Sequence, residues 1–178
     1  LNKISLLLNQ NEKNIDVLLL HAKICINLNE IDKAIYSLEK ILKLNLNNFE
    51  ALNLIYVNCL KKNKINLAKK YIDKLLTIKK NTYELLRDKA FIEYLNNDYL
   101  LSEKYIKKAL NQNSKDVFGL NILGLLYVKK NEISNAVKVF RNAILINPEY
   151  SDSYNNLGKC YIDWEELGLA YLNFKKSY

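Results

Sequence analysis

The side chains able to do chemistry are few. His21 is the single histidine, and Cys25, Cys59 and Cys160 are the three cysteines. A nucleophilic cysteine needs a neighbouring base, and a structural zinc needs four Cys or His ligands. The cysteines show no CxxC spacing, and none is read as having a histidine beside it. They are therefore expected to be small buried hydrophobes in a reducing compartment. One histidine cannot serve a Ser/His/Asp or Cys/His set, and His21 falls at an inward position of its helix, where packing is the expected role. No glycine-rich phosphate loop occurs, and no paired carboxylates share a helical face. The sequence gives no catalytic residue, no metal site and no cofactor, and the chain is expected not to be an enzyme.

Charge is the other feature that could carry function. Across 178 residues the net charge is +8, which raises the question of phosphate binding. The positive charge is almost all Lys, with Arg only at Arg87 and Arg141, whereas bidentate phosphate or base recognition favours guanidinium. The lysines are spread along the chain, accompanied by an excess of Asn and Ile that suits the codon bias of an AT-rich genome. A solvated face is expected ahead of an acidic partner surface, and nucleic acid is disfavoured as a partner. The 13 tyrosines mostly occupy packing positions, which leaves base stacking little to rest on. No apolar run reaches the roughly 20 residues a membrane helix needs. The chain opens on Leu1 and contains no Met, so it is expected to be a piece of a longer protein, and cytoplasmic.

The elements that must position these residues are helices. Gly 4 and Pro 1 leave almost no helix breakers, and no Asn-Gly hairpin signal occurs. Sliding the sequence by 34 positions lays Ala136 on Ser102 and Ala68, Ala143 on Ala109, and Asn131 on Asn97, Asn63 and Asn29. A period of this length marks a helical repeat. In this register residues 1–14 read as the second helix of a preceding partial repeat. Full repeats follow at 15–48, 49–82, 83–116 and 117–150, and 151–178 is a fifth, truncated one, the whole forming a single array. Each recurrent Asn lies between the two helices of a repeat, where it tolerates a left-handed backbone and ends the first helix. Glu165 breaks that series, so with Trp164 and Gly168 it makes an atypical turn. The third repeat is the least regular, because Lys89 stands at an apolar inner position and Glu93 where Cys or Tyr stands elsewhere.

The residues Leu120, Leu123, Gly124, Tyr127, Ala136, Phe140, Ala143 and Pro148, with Tyr154, Leu157, Gly158, Tyr161, Ala170 and Phe174 one period on, resemble the landmarks of the tetratricopeptide repeat. The small residues let two helices approach, and the large ones fill the space beside them. The resemblance covers essentially the whole chain. It implies an all-α fold, a right-handed α-solenoid of stacked antiparallel helix pairs, whose concave groove is lined mainly by first helices.

Function is then expected to be that of a non-catalytic scaffold binding a peptide or helix of a partner protein in the groove. The positions projected onto the groove are Lys23, Asn53, Arg87, Phe91, Asn121, Ile122, Leu125, Asn155, Asn156 and Lys159, with Leu19, Leu20, Leu54, Val57 and Asp88 between them. Within this set Asn53, Asn121 and Asn155 are expected to form a ladder, interrupted by Arg87, able to hydrogen-bond a peptide backbone. A Lys/Asn/Arg clamp for a C-terminal carboxylate is not reproduced, because Leu19, Asn53 and Asn121 stand where it would want Lys or Arg. The alternative is a structural or self-assembling module, or a regulatory arm of a larger protein. It would associate through uncovered apolar residues at the solenoid end, namely Leu169, Tyr171, Leu172 and Phe174.

Overall fold

The computed structural model describes residues 13–79 and 82–177. The partial repeat expected at residues 1–14 lies almost wholly outside them. Among the described residues the chain forms ten helices: α1 (Ile15–Asn27), α2 (Ile31–Leu44), α3 (Phe49–Lys61), α4 (Ile65–Ile78), α5 (Tyr83–Leu95), α6 (Tyr99–Gln112), α7 (Val117–Lys129), α8 (Ile133–Ile146), α9 (Ser151–Asp163) and α10 (Leu167–Lys176). No helix among them is long and apolar enough to cross a membrane. The helices pair consecutively, α1 with α2 through to α9 with α10. This is an all-α solenoid fold. The chain divides into two compact units, Leu1–Asn81 and Thr82–Tyr178.

The turn inside each pair is the same five times over. Asn29, Asn63, Asn97 and Asn131 all have positive φ, between 54° and 62°. The amide before each second helix reaches back five residues, Glu30 N–H to Cys25 C=O at 2.8 Å and Glu132 N–H to Tyr127 C=O at 2.9 Å, while the Asn amide itself bonds the carbonyl three residues earlier. This double closure satisfies carbonyls that the end of a helix leaves open, and it requires one left-handed residue. Glu165 does not make the turn atypical, as its sequence suggests. Its φ is 61°, and Glu166 N–H bonds Tyr161 C=O at 2.9 Å. Packing of α9 on α10 holds the left-handed backbone that an Asn would adopt more readily.

Asparagine does further structural work. Asn14 accepts from the amides of Asp16 and Val17, and Asn48 from Ala51, at the starts of α1 and α3. Asn45, Asn113 and Asn147 each accept from the amide two residues on, just after α2, α6 and α8. The Asn excess is thus in part a set of caps and turns, beyond any codon bias.

Close approach within a pair follows from size. A Cβ added at Gly124 would lie 2.4 Å from Phe140 Cε1, and one at Gly158 would lie 2.8 Å from Phe174 Cε1. Ser102 replaces the usual Ala in the third pair and is satisfied by donating to Ala90 C=O at 2.7 Å. In the second unit Ala136, Val137, Phe140, Leu157, Cys160, Tyr161 and Ala170 form one buried cluster joining α8, α9 and α10. There α5 touches α7, and α7 touches α9, whereas each second helix packs on first helices. First helices therefore form one layer and second helices the other.

The strained turn gives a direct test. Glu165→Asn should raise stability by about 1 kcal/mol, the cost of a left-handed residue other than Gly or Asn. Urea denaturation with an unchanged m-value checks it, and Asn131→Glu should lose a similar amount.

Candidate functional site

The positions projected onto the groove divide sharply by burial. In the first unit Lys23 is exposed and paired with Glu50 at 2.7 Å, and Asn53 is half-buried on α3. The remaining positions lie in the second unit. Ile122 is 0% exposed and belongs to the core, so it cannot line an open groove. Asn121 and Asn156 are also buried, at 5% and 9%, and Asn156 Nδ2 donates to Asn121 Oδ1 at 3.0 Å. Because first helices α7 and α9 touch, these two amides meet each other at the junction. The ladder expected from Asn121 is corrected to a buried amide pair that ties two repeats together.

What stays accessible on the first-helix layer is Arg87 and Phe91 on α5, Leu125 on α7, and Asn155 and Lys159 on α9. Arg87 is not a free cation. Its Nε and Nη2 lie 2.9 and 2.8 Å from Asp88 Oδ1, its Nη1 lies 3.4 Å from Asp116 Oδ1, and its guanidinium sits 5.2 Å from the centre of the Phe118 ring. Phe118 in turn meets Phe91 edge to face at 5.2 Å. Asp116 and Phe118 were invisible as site residues in the sequence, since only the contact of α5 with α7 brings them to Arg87. Nearby, burial and hydrogen bonding with Asp152 push the Tyr150 hydroxyl up to about 12, so it remains a neutral donor. Asn155 borders a cavity of about 560 Å³ shared with Ser151, Asp152, Phe174 and Ser177. Lys159 is exposed at the same layer.

The chemistry-bearing side chains resolve differently from the expectation. Cys25 does have a histidine beside it: its Sγ is 3.5 Å from His21 Nε2, one helical turn away. The pair is no nucleophile and base. Cys25 is fully buried, desolvation pushes its thiol up and lowers His21, and His21 Nδ1 shares a 2.8 Å hydrogen bond with Ser37 Oγ. Both shifts favour neutral side chains. Burial likewise pushes Cys59 and Cys160 up to about 11.

The same two helical positions recur in each first helix. They hold His21 and Cys25, Ile55 and Cys59, Lys89 and Glu93, Leu123 and Tyr127, Leu157 and Tyr161. The third repeat fills them with an ion pair, Lys89 Nζ to Glu93 Oε1 at 2.7 Å, with side chains 3% and 0% exposed. Lys89 also lies 6.0 Å from the centre of the Tyr105 ring. Its irregular residues thus preserve the fold by neutralising each other one turn apart.

Comparison with known proteins agrees with this geometry. A family profile described as TPR repeat matches residues 124–163, and one described as Tetratricopeptide repeat matches residues 15–48. The chain is a tetratricopeptide repeat protein. Among solved structures it is similar to MamA 41-end from Desulfovibrio magneticus RS-1, with 16% identity over 92% of each chain and a TM-score of 0.78. It is also similar to YrrB, described as a TPR protein with an unusual peptide-binding site, with 18% identity, 98% of this chain, 90% of that chain and a TM-score of 0.70. The APC/C hetero-tetramer Cut9-Hcn1 gives 17% identity, 99% of this chain, 36% of that chain and a TM-score of 0.82. These likenesses show the fold. No curated protein matches the sequence. As a tetratricopeptide repeat protein the chain belongs to a class of protein-interaction scaffolds.

The buried pair yields a quantitative expectation. Lys89→Leu or Glu93→Leu alone should lose about 3–5 kcal/mol, because each removes one partner of a buried ion pair, while the double variant should recover most of that loss. A double-mutant cycle by urea unfolding measures the coupling, and simple additivity of the single losses would contradict it.

Proposed function

We propose that the chain binds a peptide or helix of a partner protein on the first-helix layer of its second unit, acting as a non-catalytic scaffold. The observation that carries this reading is the cavity of about 560 Å³ between the first helix α9, which supplies Ser151, Asp152 and Asn155, and the end of α10, which supplies Phe174 and Ser177. It offers amide, hydroxyl and carboxylate groups beside an aromatic ring, the mixture that fixes a main chain while accepting an apolar side chain. Phe91, Leu125 and Lys159 extend the same layer with partly or fully accessible side chains. YrrB, a protein of the same fold, is described as having a peptide-binding site, which supports peptide binding as the kind of function. The reading uses Asn155 as the groove amide, since Asn121 and Asn156 satisfy each other.

Selection of binders from a random peptide library against the wild-type chain tests the assignment. Asn155→Arg with Lys159→Glu should weaken the selected peptides more than about tenfold, with helical content and Tm unchanged, because both side chains are accessible. Binders that keep full affinity for the double variant would move the site elsewhere.

The second reading is association through α10. Tyr171 stands one period after Val137, yet is 66% exposed where Val137 is 4% exposed, and Leu167 and Leu172 are 69% and 54% exposed. Light scattering across a hundredfold concentration range should show mass rising with concentration, and Tyr171→Lys with Leu167→Lys should abolish the rise. A concentration-independent monomer mass would contradict this reading.

A further inference from the structure

The charge of the second unit is segregated by layer. Its second helices carry seven cations, Lys104, Lys107 and Lys108 on α6, Lys138 and Arg141 on α8, and Lys175 and Lys176 on α10, against one anion, Glu103. Its first helices carry four cations against five anions. The cations fall in register: Lys104 and Lys138 are one period apart, as are Lys107, Arg141 and Lys175. Within α6, Lys104 and Lys108 are four residues apart, and Lys138 and Arg141 are three apart in α8, so each set shares one helical face. That face lies opposite the buried Ile106, Ala109, Phe140 and Ala143. Glu103 is already engaged by Lys107 at 2.9 Å and Lys130 at 2.6 Å, and offsets little of the remaining field. Apolar side chains stand among the cations. Leu100, four residues before Lys104, and Leu145, seven after Lys138, are each 80% exposed, and Leu172, one period after Lys138, is 54% exposed.

We infer that the second-helix layer of the second unit is a docking surface for an anionic lipid bilayer. Charge complementarity supplies the attraction, since a polybasic surface gathers the acidic lipids of a membrane leaflet. Two features choose a bilayer over a nucleic acid. The cations are lysines except for Arg141, compact charges suited to a diffuse anionic sheet more than to bidentate phosphate contacts. The exposed leucines gain nothing from a phosphate backbone, but can enter the boundary between headgroups and acyl chains. The attachment is peripheral, and it leaves the first-helix layer free. It does not depend on the peptide-binding reading.

The test is co-sedimentation of the full chain with large vesicles. Wild-type protein should bind vesicles of 70% phosphatidylcholine and 30% phosphatidylserine, release in 0.5 M salt, and ignore pure phosphatidylcholine. Lys104→Glu, Lys138→Glu and Lys175→Glu together should weaken binding by about 100-fold or more, near fivefold per charge removed, with an unchanged circular dichroism spectrum. The same number of reversals in the first unit, Lys43→Glu, Lys61→Glu and Lys62→Glu, should cost far less. Leu100→Ser with Leu145→Ser should lower vesicle binding and leave binding to a DNA duplex unchanged. Equal binding to neutral vesicles, equal loss from both triple variants, or tighter binding to a DNA duplex or polyglutamate than to acidic vesicles would overturn the inference.

Discussion

The constraint on which the rest depends is how closely two antiparallel helices can be held after a turn of three residues. The turn closes only if one residue adopts a left-handed backbone, so that two amides can fold back onto the last carbonyls of the first helix. Once closed, it leaves the helices too near for large side chains on both. Gly124 against Phe140 and Gly158 against Phe174 are the outcome, with ring atoms where a Cβ would otherwise lie. Five turns of one geometry then give five helix pairs of one kind, and local stacking follows from their matching faces.

This repetition separates what a position must do from which residue does it. One pair of inward positions holds apolar residues in three repeats, a neutral His and Cys in the first, and an ion pair in the third. Each solution leaves no net charge on that face of the helix. The left-handed position shows the same tolerance: Asn serves four times and Glu once, because packing on both sides imposes the backbone. A rule read from residue identity alone would break at Glu165 and at Lys89, where the geometry continues undisturbed.

The two layers carry different surface chemistry for a related reason. First helices of the second unit touch one another, so their facing residues are consumed by packing, as with Asn121, Ile122 and Asn156. Arg87, a charge that remains there, is held by neighbouring carboxylates. Second helices pack mainly on first helices and keep an outward face exposed. In the second unit seven cations collect on these second helices against one anion. A net charge spread evenly through the sequence thus becomes a one-sided surface in the folded unit.

From the sequence alone came the period, the all-α class, the turn positions of Asn29, Asn63, Asn97 and Asn131, and the small and large residues that face each other. These are properties of spacing, which survives in one dimension. The sequence also identified Lys89 and Glu93 as irregular, and could not show that they form a buried pair, since helical phase does not measure depth. The groove was legible only in outline. Projection by period places Asn121 and Ile122 on it because each first helix is treated as though it stood alone. Contact between α7 and α9 buries both, and contact between α5 and α7 brings Asp116 and Phe118 to Arg87. Which polar groups remain open to a partner is decided by how neighbouring repeats cover one another, and that is a property of tertiary packing.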